Sequence, residues 1–89
     1  DVLAVGALSR AHAMGLHVPD ELSITGFDDI ELAQAAHPGL TTIRVPHRKM
    51  GRRAAQALIH TLETGEPLQG QELDATLTLR ASLGPVPSA

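Results

Sequence analysis

The sequence predicts an α/β fold. Two observations carry the expectation. Apolar residues recur at helical spacing over residues 2–14 and 46–64, then alternate singly from Leu73 onward, a change of period from 3.6 to 2. The resulting order is helix, strand, strand, helix, strand, with Pro- and Gly-bearing turns between. That order suits a sheet packed by helices.

Residues 2–14 read as a helix whose inward face is Leu3, Ala4, Ala7, Leu8, Ala11 and Met14. Asp1 stands where a carboxylate caps free N–H groups and meets the positive end of the helix dipole. Gly15 suits the left-handed position that ends a helix. Val2 and Val5 fall on the opposite side, near Ser9 and His12. They mark either a second buried contact or the scattered surface apolars normal in any protein.

Pro19 and Asp20 close that segment. Leu22, Ile24 and Phe27 supply the apolar content of a short buried strand over 22–27. Gly26 inside it signals a bend or the close approach of another group. Asp28 and Asp29 follow at the strand's carboxyl end, and Ile30 to Ala36 reads as a helical turn that one of the two acids caps. Pro38 and Gly39 break it. Leu40 to Val45 reads as a second strand, since Thr41, Thr42, Ile43 and Val45 fit a pleated surface.

Residues 47–64 form the longest predicted helix, with Pro46 tolerated at its start and Gly65 and Pro67 stopping it. Met50, Ala54, Ala57, Leu58, Thr61 and Leu62 share one face. Arg48, Lys49, Arg52, Arg53, Gln56, His60 and Glu63 share the other. Over 73–79, Leu73, Ala75, Leu77 and Leu79 alternate with Asp74, Thr76 and Thr78, the pattern of a half-buried strand. Residues 1–84 are expected to belong to one domain and 85–89 to form a tail.

Eighty-nine residues make one small domain or a piece of a larger one. A piece is expected, because the chain opens at Asp1, without Met, inside a helix start. There is no cysteine, hence no disulfide framework or thiolate metal site. No apolar run approaches the roughly 20 residues of a membrane span. A net charge of −3 gives no electrostatic footprint for nucleic acid. One aromatic residue, Phe27, makes no stacking platform.

The Asp28 region is the best site candidate, because ligands of parallel α/β sheets bind just beyond the carboxyl ends of strands. Catalysis by Asp28 and Asp29 as paired carboxylates is disfavoured, since neighbours on an extended segment point to opposite sides. Two readings stay open: a polar loop capping the next turn, or a ligand contact in which a carboxylate accepts hydrogen bonds from hydroxyl or N–H groups. Phe27 beside it would exclude water. The five histidines, His12, His17, His37, His47 and His60, show no metal-ligand spacing, so no metal or other cofactor is implied. Arg48, Lys49, Arg52 and Arg53 read as a solvated helix face rather than a phosphate stripe. No P-loop, Gly-x-Gly-x-x-Gly or nucleophile elbow occurs, and enzyme activity has no positive support.

The stretch Val18-Pro19-Asp20-Glu21-Leu22-Ser23-Ile24-Thr25-Gly26-Phe27-Asp28-Asp29 resembles the strand-and-loop signature of the lactose-repressor/galactose-repressor family of bacterial transcription regulators. Asp1 through Gly6-Ala7-Leu8 resembles the preceding helix start. Pro38-Gly39-Leu40-Thr41-Thr42-Ile43-Arg44, with Met50-Gly51 and Ala54-Ala55, resembles the crossover strand and last helix. The ordered set covers most of residues 1–82. Two positions depart from the family pattern. Val45 stands where members often carry Gln, which bears on effector identity, and Gly39 stands where a second Pro is common.

The resemblance implies the C-terminal piece of a periplasmic-binding-protein-like two-lobed domain, with a mostly parallel sheet flanked by helices. It implies a cytoplasmic regulator that senses a small sugar or nucleobase and controls operator DNA through an upstream helix-turn-helix. It further implies an effector contact at Asp28 with Phe27 alongside, Asp29 serving the loop, and a homodimer or higher homo-oligomer. The subunit contact would run through Val2 and Val5 and through Leu32, Ala35 and Ala36. The alternative of the same fold is a periplasmic sugar-binding protein of an ABC importer.

Overall fold

Helix α1 covers Val2–Ala13 and is followed by Met14 and by Gly15 at a left-handed φ of 75°, a conformation a residue without Cβ adopts freely. The computed structural model describes residues 1–87. They form two compact units, one of residues 1–45 with the segment from 76 onward, and one of residues 46–75.

In the first unit, α1 buries Leu8 and Ala11 and lays Ala4 and Val5 against the core, whereas Leu3, Ala7 and Met14 are exposed. The inward stripe is therefore rotated from the expected one. The cause is legible in composition. Val2, Leu3, Ala4, Val5, Ala7 and Leu8 are apolar around most of the helix, so more than one stripe satisfies a 3.6 period. Leu8 meets Ala33 and Leu40, with Val18, Ile24 and Ala36 around them. Ala33 belongs to α2, a short helix at Glu31–Ala35.

Strand β1 (Thr42–Arg44) pairs antiparallel with β2 (Thr76–Thr78) in the register Thr42 to Thr78, Ile43 to Leu77 and Arg44 to Thr76. On its other side β1 runs parallel to the segment ending at Asp28, through bridges Thr25 to Thr41 and Asp28 to Arg44. Gly26 N–H donates to Thr41 O and Asp28 N–H to Ile43 O, each at 2.9 Å. The expected mostly parallel sheet is thus a mixed one among the described residues, and its regular ladder is antiparallel. The expected strand at 22–27 is reduced because Ile24 N–H donates to Ser82 O rather than to β1. Ser82, fully buried, inserts there. Its hydroxyl donates to Ile24 O and accepts Thr41 N–H.

The strand expected at 40–45 keeps ladder geometry over 42–44, and that expected at 73–79 over 76–78. Leu22, Phe27, Leu77 and Leu79 are exposed rather than buried, Phe27 at 55%. Leu77 and Leu79 share one side of their strand by alternation, and that side stays more than half exposed.

The second unit is built on α3, His47–Thr64, where the periodicity placed it. Pro46 precedes it, and Gly65 ends it at φ 75° with its N–H on Thr61 O. Thr64 Oγ1 donates to His60 O and accepts Glu66 N–H, and His60 Nε2 lies 2.9 Å from Glu66 Oε2. Arg48, Lys49, Arg52 and Arg53 are exposed as expected, and so are Met50, Leu58 and Leu62.

Candidate functional site

The parallel segments bring Asp28 and Arg44 side by side at their carboxyl ends, the edge at which α/β sheets hold ligands. Immediately past that edge the backbone turns in an unusual way. Asp28 has φ 107° and Asp29 φ 54°, so two consecutive residues with a Cβ lie in the left-handed region, where such residues are uncommon. Strain of this kind persists only where the surroundings over-determine it, and it clusters at ligand sites and switch regions.

The surroundings are specific. Asp28 N–H is held by Ile43 O. Asp29 N–H points at Thr42 Oγ1, 3.4 Å away. Ile30 N–H donates to Asp1 Oδ2 at 2.8 Å, and the Asp1 main-chain nitrogen donates to Phe27 O at 3.1 Å. Asp1 Oδ1 accepts the Thr42 hydroxyl at 2.7 Å. The expected cap of α1 by Asp1 is therefore absent, as is the cap of α2 by Asp28 or Asp29. The Asp1 carboxylate instead holds the N–H of Ile30, the residue that leads into α2. Gly26 permits the approach: a Cβ there would collide with the Asp1 carboxylate and come within 2.8 Å of Leu40 Cδ2.

Asp29 is the buried acid of the pair, its side chain 2% exposed. Arg44 Nε donates to its Oδ2 at 2.8 Å. Arg80 Nη2 lies 2.8 Å from Oδ1, a charge contact in which no N–H aims squarely at that oxygen. The Arg44 hydrogen bond holds the Asp29 carboxyl below the ordinary carboxylate range. Burial opposes it, and Arg80 adds to the lowering. Arg80 is itself fixed. Its Nη1 donates to Leu40 O at 2.9 Å, and its main-chain N–H and C=O both meet the buried Thr41 hydroxyl, at 2.8 and 3.1 Å. Gly39, which stands where a second Pro is common in the family, lies against this side chain: a Cβ there would sit 3.3 Å from Arg80 Cδ.

The site expected at Asp28 thus acquires partners that sequence reasoning missed: Asp1, Thr42, Arg44 and Arg80. One signal for them was available, a lone Arg near the end of each of two strands beside a pair of acids. Phe27, which precedes Asp28, is 55% exposed. Of the expected subunit-contact residues, Val5 and Ala36 come together in one groove with Ser9, His12 and His37. Val2, Leu32 and Ala35 are exposed. Among the described residues no histidine or acid cluster has the makings of a metal site, and no helix is long and apolar enough to cross a membrane.

A small mixed sheet, two helices packed on one another beside it, and an acidic loop at positive φ at the strands' carboxyl edge make an α/β arrangement. The chain belongs to the periplasmic binding protein-like domain family, whose model matches residues 1–83, and within it to the lactose-repressor type that its motifs resemble. It is 43% identical over 88 residues to the HTH-type transcriptional repressor CytR of Escherichia coli (strain K12), covering 98% of this chain and 26% of that protein. It is 42% identical over 66 residues to the HTH-type transcriptional repressor PurR of Vibrio campbellii (strain ATCC BAA-1116), covering 74% of this chain and 20% of that one. A LacI family transcriptional regulator from Arthrobacter sp. FB24, solved in complex with lactose, superposes with a TM-score of 0.81 at 30% identity. That superposition covers 94% of this chain and 33% of that one. The chain spans about a quarter of the length of the first of these relatives.

Proposed function

We propose that this chain is the C-terminal part of the effector-binding and dimerisation region of a cytoplasmic transcription regulator of the lactose-repressor type. In the whole protein a small sugar or nucleobase binds between two lobes, and operator DNA is held by an N-terminal helix-turn-helix. The effector acts through its different affinities for two subunit arrangements, one of which favours DNA. Binding and release, without turnover, are the whole of the chemistry.

The observation that carries this reading is Asp28 at the carboxyl edge, on a strained loop, in a chain whose relatives are transcriptional repressors. A carboxylate in that position accepts hydrogen bonds from sugar hydroxyls or base N–H groups, and its desolvation makes the contact selective. The lactose held by the Arthrobacter regulator supports a sugar as one effector class. Val2, Val5, Leu32, Ala35 and Ala36 supply the contact between subunits. The relatives' being repressors disfavours the importer reading.

The test is operator affinity of the intact protein, measured with and without a panel of free sugars and nucleobases. A ligand that shifts the affinity about fivefold or more, the usual size of allosteric coupling, is expected. An intact protein that binds no DNA, yet binds a sugar tightly, would overturn the assignment in favour of a transport protein.

A further inference from the structure

We propose that Asp29 is a positioning residue: by gripping Arg44 and Arg80 behind the loop, it fixes the backbone from which the Asp28 carboxylate is presented. The inference rests on the reading of Asp28 as an effector contact and adds the element that aims it.

The direction of the Asp28 side chain depends on the backbone at residues 28 and 29, whose φ values of 107° and 54° residues with a Cβ rarely adopt. Something must hold them there. The main-chain bonds do part of it, Asp28 N–H on Ile43 O and Ile30 N–H on Asp1 Oδ2. Between those two anchors lies Asp29, whose own N–H has only the 3.4 Å contact with Thr42 Oγ1. Its side chain supplies the missing restraint, one oxygen on Arg44 Nε and the other on Arg80 Nη2, each at 2.8 Å. A carboxylate this buried is stable only with such partners. Without them it swings toward water and takes the backbone of residue 28 with it.

The two arginines are not equivalent. Arg80 is 18% exposed and is tied to Leu40 O and, through its main chain, to Thr41. It is the fixed post. Arg44 is 59% exposed and closes the grip from the solvent side, next to Asp28 in register. Asp29 therefore couples the aim of Asp28 to the positions of both strand ends.

Hydrogen–deuterium exchange of the intact protein, free of ligand and read on overlapping peptides, separates positioning from general stabilisation. In Asp29→Asn the amides of Asp28 and Ile30 are expected to exchange about tenfold faster or more, the usual effect of losing a charged hydrogen bond. The amides of Gly26, on Thr41 O, and of Leu40, on Ala33 O, are expected to stay within about threefold. Arg44→Gln, which leaves the core untouched, gives the same local pattern more weakly and serves if Asp29→Asn fails to fold. Equal acceleration of all four amides, or none at Asp28 and Ile30 in either variant, overturns the proposal. A failure of the effector reading is visible separately. Lactose and the other panel ligands would bind Asp28→Asn as they bind the unaltered protein, while Asp29→Asn would still show faster exchange at Asp28 and Ile30 alone.

Discussion

The carboxylate of Asp1 accepts the Ile30 N–H at 2.8 Å, across 29 positions of sequence. The residue that opens α1 thus holds the entry to α2, and its second oxygen takes the Thr42 hydroxyl. Three elements of the first unit, α1, α2 and β1, meet on one side chain.

Asp1→Ala is therefore expected to act at long range. It leaves the Ile30 N–H and the buried Thr42 hydroxyl without their acceptor. The loss should be about 1–3 kcal/mol, read by chemical denaturation of the intact protein. A loss of only a few tenths, typical of an exposed helix start, would contradict the arrangement.

Two glycines should respond oppositely to alanine. Gly26→Ala drives a Cβ into the Asp1 carboxylate and Leu40, at a cost of about 1–3 kcal/mol. Gly6, inside α1, has nothing within 4 Å of the same position, and Gly6→Ala should stabilise by about 0.5–1 kcal/mol through helix propensity. Equal effects at the two sites would show that Gly26 is not a packing contact.

Acid should unfold the protein partly through Asp29. Its carboxyl titrates below its ordinary 3.8 when folded, chiefly because of Arg44, and returns to the ordinary value when unfolded. As pH falls the unfolded chain takes up the proton first. The stabilisation is thus full above about pH 4 and drains away as pH drops through the lowered folded value. Asp29→Asn should flatten that acid limb while lowering stability at neutral pH. Parallel acid limbs in the two proteins would contradict the ion pairs.

Much of this architecture was legible in the sequence, and the limits have physical causes. The bounds of α3 followed from one clean apolar stripe closed by Pro46 and Gly65. The inward stripe of α1 did not, because apolar residues surround that helix. The buried hydroxyls of Thr41, Thr42 and Ser82 escaped notice because Ser and Thr read as surface or strand residues until partners such as Ile24 O and Arg80 N–H are in place. The same holds for Asp29, whose two arginines stand far apart in sequence, Arg44 at the end of β1 and Arg80 two residues past β2.

Subunit association is expected to depend on exposed apolar residues of α1 and α2. Val2 is 68% exposed and Leu32 45%. Leu32→Asp or Val2→Asp would place an unpaired charge in a contact between copies, so sedimentation should show the intact protein dissociating at higher concentration than before. Val5→Asp is a poorer probe, since Val5 also packs on the core. Unchanged dissociation in both variants would move the contact elsewhere.

The most direct measurement is ligand titration of the intact protein and its Asp28→Asn variant, using the tightest binder from a panel of free sugars and nucleobases, with thermal unfolding as the control. Asn keeps the size but surrenders the charge, and a charged hydrogen bond contributes roughly 1.5–3 kcal/mol. The dissociation constant should therefore rise about tenfold to a hundredfold while unfolding stays normal. An unchanged dissociation constant in a normally folded Asp28→Asn protein would contradict Asp28 as the effector contact.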